Sequence, residues 1–151
     1  MHQTPMIKRA RNIARKQWGD KTDQTGHPRM VSLDRIVEQI DDPINGEFIA
    51  CIIYVHDLCK YRKKTPLELI QSGLPLRVAY AASRIVQRDN ETLEDYLMRI
   101  VDDTELVLPA ALAYAAYMRE PDNYQTDKET ARIQTMFYAT MYCVLKLERG
   151  D

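Results

Sequence analysis

Glycine is scarce in this chain, five in 151 residues, and no stretch of strict polar/apolar alternation is long enough to require a strand. Cysteine is scarcer. Cys51, Cys59 and Cys143 form no CxxC pair and cannot all be matched within one chain. That argues against a disulfide framework or a thiolate zinc site and makes a reducing cytoplasm the default. Neither sign of charge dominates: 21 Lys+Arg stand against 22 Asp+Glu, a formal net charge of -1. No bulk field therefore draws the chain to DNA, RNA or an anionic membrane, and nucleic acid is not the expected partner; any such binding would have to be local. The apolar runs are too short for a membrane span, yet 45% hydrophobic residues are too many for a disordered chain. The basic start, MHQTPMIKRARNIARKQW, lacks the apolar stretch of a secretory signal.

What is present is helical periodicity. Met6, Ile7, Ala10, Ile13 and Ala14 recur at the spacing of a first helix, and Ile36, Val37 and Ile40 make a short apolar face after the turn-like Thr22 to Pro28 segment. A break at Asp42-Pro43 and Asn45-Gly46 precedes a strongly apolar helix, Phe48, Ile49, Ile52 and Ile53, that runs into His56-Asp57 and is expected to be the most buried. Thr65-Pro66-Leu67-Glu68 specifies a helix start by capping box and N1 proline, and Ser72-Gly73 stops that helix. Val78, Ala79, Ala82, Ile85 and Val86 form the next apolar face, then Leu93, Tyr96, Leu97 and Ile100. Leu106 to Met118 is apolar almost all round, as a buried helix is. Thr126 with Glu129 repeats the capping signature before a last helix carrying Ile133, Met136, Phe137, Met141, Val144 and Leu145. The expectation is an all-α chain, one bundle of about seven to eight helices in a single domain over residues 1–151.

His56-Asp57 is the dipeptide with metal potential, because neutral imidazole and carboxylate both suit divalent transition ions. Its context carries more than the pair does. Lys16 to Ile36, KQWGDKTDQTGHPRMVSLDRI, is similar to the pattern KAHxGQxxKxGxPYxxHPxxV; Ala50 to Leu69, ACIIYVHDLCKYRKKTPLEL, resembles AxLLHDxxEDTxxTxEDL. Gly73 to Ile100 is similar in kind to GFPxxVxxxVxxLTxxxxExYxxYxxRI, and the likeness continues weakly through Ala111 to Arg119. In this order and spacing the stretches resemble the metal-dependent HD phosphohydrolases, specifically the alarmone (ppGpp) hydrolase branch.

The resemblance implies an HD-type bundle and also a depleted site. Of four metal-ligand positions, His56 and Asp57 keep the family's residues, while Ser32 and Tyr114 stand where the others belong. Lys60 and Tyr61 replace the carboxylates that assist the attacking water, Met118 replaces an asparagine, and Trp18 an early histidine. One imidazole and one carboxylate make a weak, open cage, and without the ion no bound water is acidified and no Lewis acid neutralises phosphoryl oxygens. Asp57 and Lys60 lie three apart on a helix, so the ammonium is expected to pair with the carboxylate. Lys60, Arg62, Lys63 and Lys64 read as a solvated helix end or, with Arg29, as cations converging on a phosphorylated nucleotide.

Three functions follow as expectations. The first is a catalytically depleted relative, needing no cofactor, that binds a guanine nucleotide or a partner protein, with Arg29, Lys60, Arg62 and Trp18 as ligand-binding residues. The second is a Mn- or Zn-dependent phosphohydrolase recruiting His27, Asp20 or Asp34 as replacement ligands. The third is a homo-oligomerisation module built on Leu106 to Met118. The basic face of the first helix, Lys8, Arg9, Arg11, Arg15 and Lys16, reads as solvated. Trp18 and Tyr117 read as fillers of the family cavity, and Cys59 as a small buried hydrophobe.

Overall fold

The computed structural model describes residues 3–22, 26–118, 136 and 138. Seven helices are described: α1 (Pro5–Trp18), α2 (Arg29–Glu38), α3 (Gly46–Tyr61), α4 (Pro66–Gln71), α5 (Leu76–Arg84), α6 (Leu93–Ile100) and α7 (Val107–Met118). Apart from an isolated bridge between Thr22 and Pro28, no strand occurs among the described residues. The fold is all-α. No described helix is long and apolar enough to cross a membrane.

Helix α1 starts where Thr4 Oγ1 accepts from the Ile7 amide at 3.2 Å with Pro5 at the first turn. Its buried stripe is Ile7, Ala10, Ala14 and Trp18. The two small residues let α1 lie close on α3. Asp42 Oδ1 accepts from the Ile44 and Asn45 amides and turns the chain into α3, which is buried on every side from Ile49 to Leu58. Helices α1, α2, α5 and α7 all pack on α3, so it has no solvent face to keep polar, and its two polar buried residues are His56 and Asp57. That is the centre the apolar run implied.

Thr65 and Glu68 form the reciprocal capping box at α4. The end of α4 is a Schellman turn: Leu74 N donates to Leu69 O at 3.2 Å and Gly73 N to Ile70 O at 2.9 Å, with Leu69 and Leu74 buried together. Gly73 takes φ +101°, and a Cβ there would stand 3.0 Å from the Arg9 side chain. The expected start and stop of α4 are both present.

Helix α5 ends at Arg84, earlier than its apolar pattern suggests, and Ile85 and Val86 lie beyond it. The reason is competition for carbonyls. The Arg99 guanidinium donates to Arg84 O and to Val86 O, and Tyr96 Oη donates to Ile85 O, so these acceptors are held by α6 side chains in place of a further helical turn. Tyr96, Leu97 and Ile100 are buried as expected, whereas Leu93, in the first turn of α6, is 37% exposed. Helix α7 buries Val107, Leu108, Ala110, Ala111, Ala115 and Tyr117. The capping box at Thr126 and Glu129 and most of the helix expected after it fall outside the described residues, as do His2, Tyr124, Tyr142 and Cys143; Met136 and Tyr138 are helical.

Gly73→Ala is expected to lower unfolding free energy by about 1 kcal/mol or more, because a left-handed φ and a crowded Cβ both oppose it. Urea denaturation of the variant against the parent chain measures this, and an unchanged midpoint would contradict the turn geometry.

Candidate functional site

His56 and Asp57 occupy the last buried turn of α3. His56 Nδ1 lies 2.8 Å from Ile53 O, and since a carbonyl only accepts, Nδ1 carries a proton. Nε2 then faces Asp57 Oδ1 at 3.1 Å. The contact lies off the hydrogen-bonding axis, and Nε2 has no aligned partner among the described residues, so the interaction is Coulombic. The other carboxylate oxygen is committed: Arg29 Nη1 donates to Asp57 Oδ2 at 2.9 Å, with side chains 13% and 3% exposed.

Burial, the largest influence on both groups, disfavours their charged forms. The charges overcome it. Asp57 beside His56 and Arg29 is held down at about 2, and the His56 ring, burial notwithstanding, is raised above the ordinary imidazole value by the Asp57 carboxylate and by its bond to Ile53. A neutral ring with its proton on Nδ1 would turn a lone pair toward a carboxylate, which is the physical reason protonation is favoured. The site is thus a buried anion between a guanidinium and an imidazole whose protonated form it favours.

Arg29 is itself held between two rings, its guanidinium carbon 4.7 Å from the Trp18 centroid and 4.9 Å from that of Tyr61. Trp18 meets Tyr61 edge-on at 6.3 Å. Arg62 lies 5.0 Å from the Trp18 centroid, and Lys60 Nζ lies 5.0 Å from that of Tyr61. The sequence Arg62, Trp18, Arg29, Tyr61, Lys60 is therefore a ladder of alternating cations and rings. With aromatic carbon on two adjacent sides, Arg29 is pre-set in one position for Asp57.

One expectation is corrected. The partner of Asp57 is Arg29 from the first turn of α2, and Lys60 is exposed over Tyr61. Lys60 Nζ lies over the Tyr61 ring instead, while Arg29 arrives from a neighbouring helix at the buried end of the carboxylate. Trp18 and Tyr117 are buried as expected of cavity fillers, but the space around His56 is not closed. A cleft of about 360 Å³ remains, lined by His56, Asp57, Lys60, Ile85, Val86, Gln87, Arg88 and Tyr96. Tyr114, on α7, covers another side of His56, ring to ring at 4.7 Å. Ser32 is buried on α2, and Met118 ends α7.

Of the cations proposed to converge, Lys60 reaches the cleft, Arg29 stands behind Asp57, and Arg62 caps Trp18. Lys64 pairs with Glu68 at 3.6 Å, and Lys63 is an exposed residue at φ 54°. Asp34, one of the suggested replacement ligands, receives two bonds of 2.9 Å from Arg11 and one of 2.7 Å from Tyr54, and is held below the ordinary carboxylate range; burial opposes the shift, and the Arg11 and Tyr54 bonds outweigh it. Burial raises the Cys51 thiol to about 12 and the Cys59 thiol to about 11, so neither is a ready nucleophile.

Arg88 and Gln87 were not singled out from the sequence, and Tyr96 was read there only as part of an apolar helix face. They come to the cleft because Arg99 knots the segment between α5 and α6: besides its two carbonyl bonds it donates twice to Glu91 at 2.9 Å, and Gln87 and Arg88 N also bond Glu91. The signal available was an arginine seven residues after the capping Thr92, which has no pattern of its own.

The residues present do not fit a divalent ion. Two donors remain, one oxygen of the carboxylate is bound to a guanidinium, and no group of three or more His, Cys, Asp or Glu gathers among the described residues. No protein-family model and no curated protein matches the chain, so the likeness to the HD phosphohydrolases rests on its motifs and their spacing.

The signs of the two shifts give a pH prediction. Asp57 contributes stability above the unfolded carboxylate range, lost as pH falls from about 5 through about 2. His56 contributes stability below its ordinary value of about 6.5, lost as pH rises through the raised one. Unfolding free energy should therefore peak in weak acid. His56→Gln should flatten the alkaline limb alone, and Asp57→Asn should remove both contributions. An alkaline limb that survives His56→Gln would contradict this assignment.

Proposed function

We propose that this chain is a catalytically depleted relative of the alarmone hydrolases, a pseudoenzyme that binds a phosphorylated guanine nucleotide and acts as a regulatory module in the cytoplasm. The observation that supports it most is the 2.9 Å pair between Arg29 and Asp57. A guanidinium holds one oxygen of the carboxylate that the resemblance makes a metal ligand, and it supplies fixed positive charge without coordinating a water. A Lewis acid lowers the pKa of its bound water; an arginine does not. With Lys60 and Tyr61 in place of assisting carboxylates, no side chain described at the cleft takes a proton from a nucleophilic water.

Binding survives where chemistry does not. The cleft has the size of a small-molecule site, an apolar wall of Ile85, Val86 and the Tyr96 ring, and a charged rim of Lys60 and Arg88. Arg29 offsets the Asp57 charge, so an incoming phosphate meets the positive charge of Lys60 and Arg88. A cleft of this kind favours a nucleotide over a partner protein as the ligand.

Titration calorimetry with ppGpp, with and without manganese, tests the reading. Binding should be metal-independent, the nucleotide should be recovered intact, and Lys60→Ala and Arg88→Ala should each weaken affinity about tenfold or more, as loss of a charged hydrogen bond does. Manganese-dependent release of pyrophosphate that disappears in His56→Ala would establish instead the metal-dependent phosphohydrolase.

A further inference from the structure

The first nineteen residues carry five basic side chains and no acidic one. The structure divides those five. Arg11 is consumed by its paired bonds to Asp34, and Arg15 turns back to Asn12 at 3.3 Å. Lys8, Arg9 and Lys16 are exposed on α1, and none makes an ion pair among the described residues. They are not on a convex surface. A depression of about 390 Å³ is lined by Pro5, Lys8, Arg9, Asn12, Ile13 and Lys16 with Ser72, and a second of about 250 Å³ shares Ile13, Lys16 and Ser72 and adds Gln17, Lys64 and Leu69.

Shared walls make the two depressions one trough along α1, bounded by the end of α4. Among the described residues no carboxylate lines it. Its polar lining consists of cations, two carboxamides and a hydroxyl, and its apolar lining of Pro5, Ile13 and Leu69. Arg9 is fixed at the rim because its Nη1 donates to Gly73 O at 3.0 Å. Lys8, Asn12 and Lys16 follow one another at four-residue spacing, so they stand in a row about 6 Å apart along the helix. Near-zero net charge does not cancel this field, because seven acidic side chains fall between Asp89 and Glu105 with Arg99 as the single base there.

We infer that this trough binds the sugar-phosphate backbone of single-stranded nucleic acid. A row of cations with donor side chains and no acceptor carboxylate matches successive phosphates, and the apolar residues offer a surface for sugars and bases. A concave trough along one helix receives a single strand. A membrane would need a flat basic face, and a duplex would need a second row of cations for its other strand. Among the described residues no aromatic side chain lines the trough, so contacts are to the backbone and recognition is independent of sequence. The inference is independent of the nucleotide cleft, which uses other residues.

Fluorescence anisotropy with a short labelled oligothymidylate tests it. The full chain should bind at low salt, with a log–log salt slope of about −2, as three contacted phosphates give. Lys8→Glu/Lys16→Glu should weaken binding more than tenfold, and Lys8→Gln/Lys16→Gln by a smaller factor with a shallower slope. Both variants should keep the parent chain's thermal midpoint, since the changed side chains are exposed and unpaired. Absence of salt-dependent binding by the parent chain, equal affinity in the glutamine variant, or tighter binding of the matching duplex or of phosphatidylserine vesicles would overturn the inference.

Discussion

A carboxylate buried at the centre of a helical bundle must be matched by positive charge, because taking it out of water costs several kcal/mol. Asp57 is that carboxylate, and the surrounding structure is arranged around its answer, Arg29. Trp18 from the end of α1 and Tyr61 from the end of α3 enclose the guanidinium, so three helices meet at one ion pair. His56 stands against the other carboxylate oxygen and is oriented by Ile53 O one turn back. Where a metal would offer open coordination positions, an arginine offers charge and fixed donors only. The proposed binding without turnover rests on that difference.

The cleft beside the pair depends on a second arginine. Arg99 gathers the carbonyls of Arg84 and Val86 and the Glu91 carboxylate, ending α5 and setting the wall that carries Gln87 and Arg88. Long side chains on separate helices thus fix both the floor and the wall of one small space. Such a cleft is largely pre-formed, which lowers the ordering cost of binding.

Much of the architecture was legible in the amino-acid sequence. The α3 run from Ile49 to Leu58, the capping box at Thr65 and the stop at Gly73 are local patterns with local causes, and each appears where its pattern lies. The His56-Asp57 pair could be read for the same reason. The partner of Asp57 could not, since spacing on one helix points to Lys60 whereas Arg29 lies 28 positions away and comes in only through the packing of α2 on α3. The end of α5 was misjudged on similar grounds: Ile85 and Val86 continue the apolar period, and the Arg99 and Tyr96 side chains that take their carbonyls belong to α6. Periodicity reports which face is buried; it does not report which distant side chain competes for a backbone acceptor.

The most direct measurement is a double-mutant cycle on Arg29→Met and Asp57→Asn by chemical denaturation at neutral pH. Stranding the carboxylate with Arg29→Met should cost about 3 kcal/mol or more, and adding Asp57→Asn should recover most of it, a coupling of about 2 kcal/mol or greater. Additive effects, within about 0.5 kcal/mol, would mean that the guanidinium does not hold the carboxylate and would contradict the account.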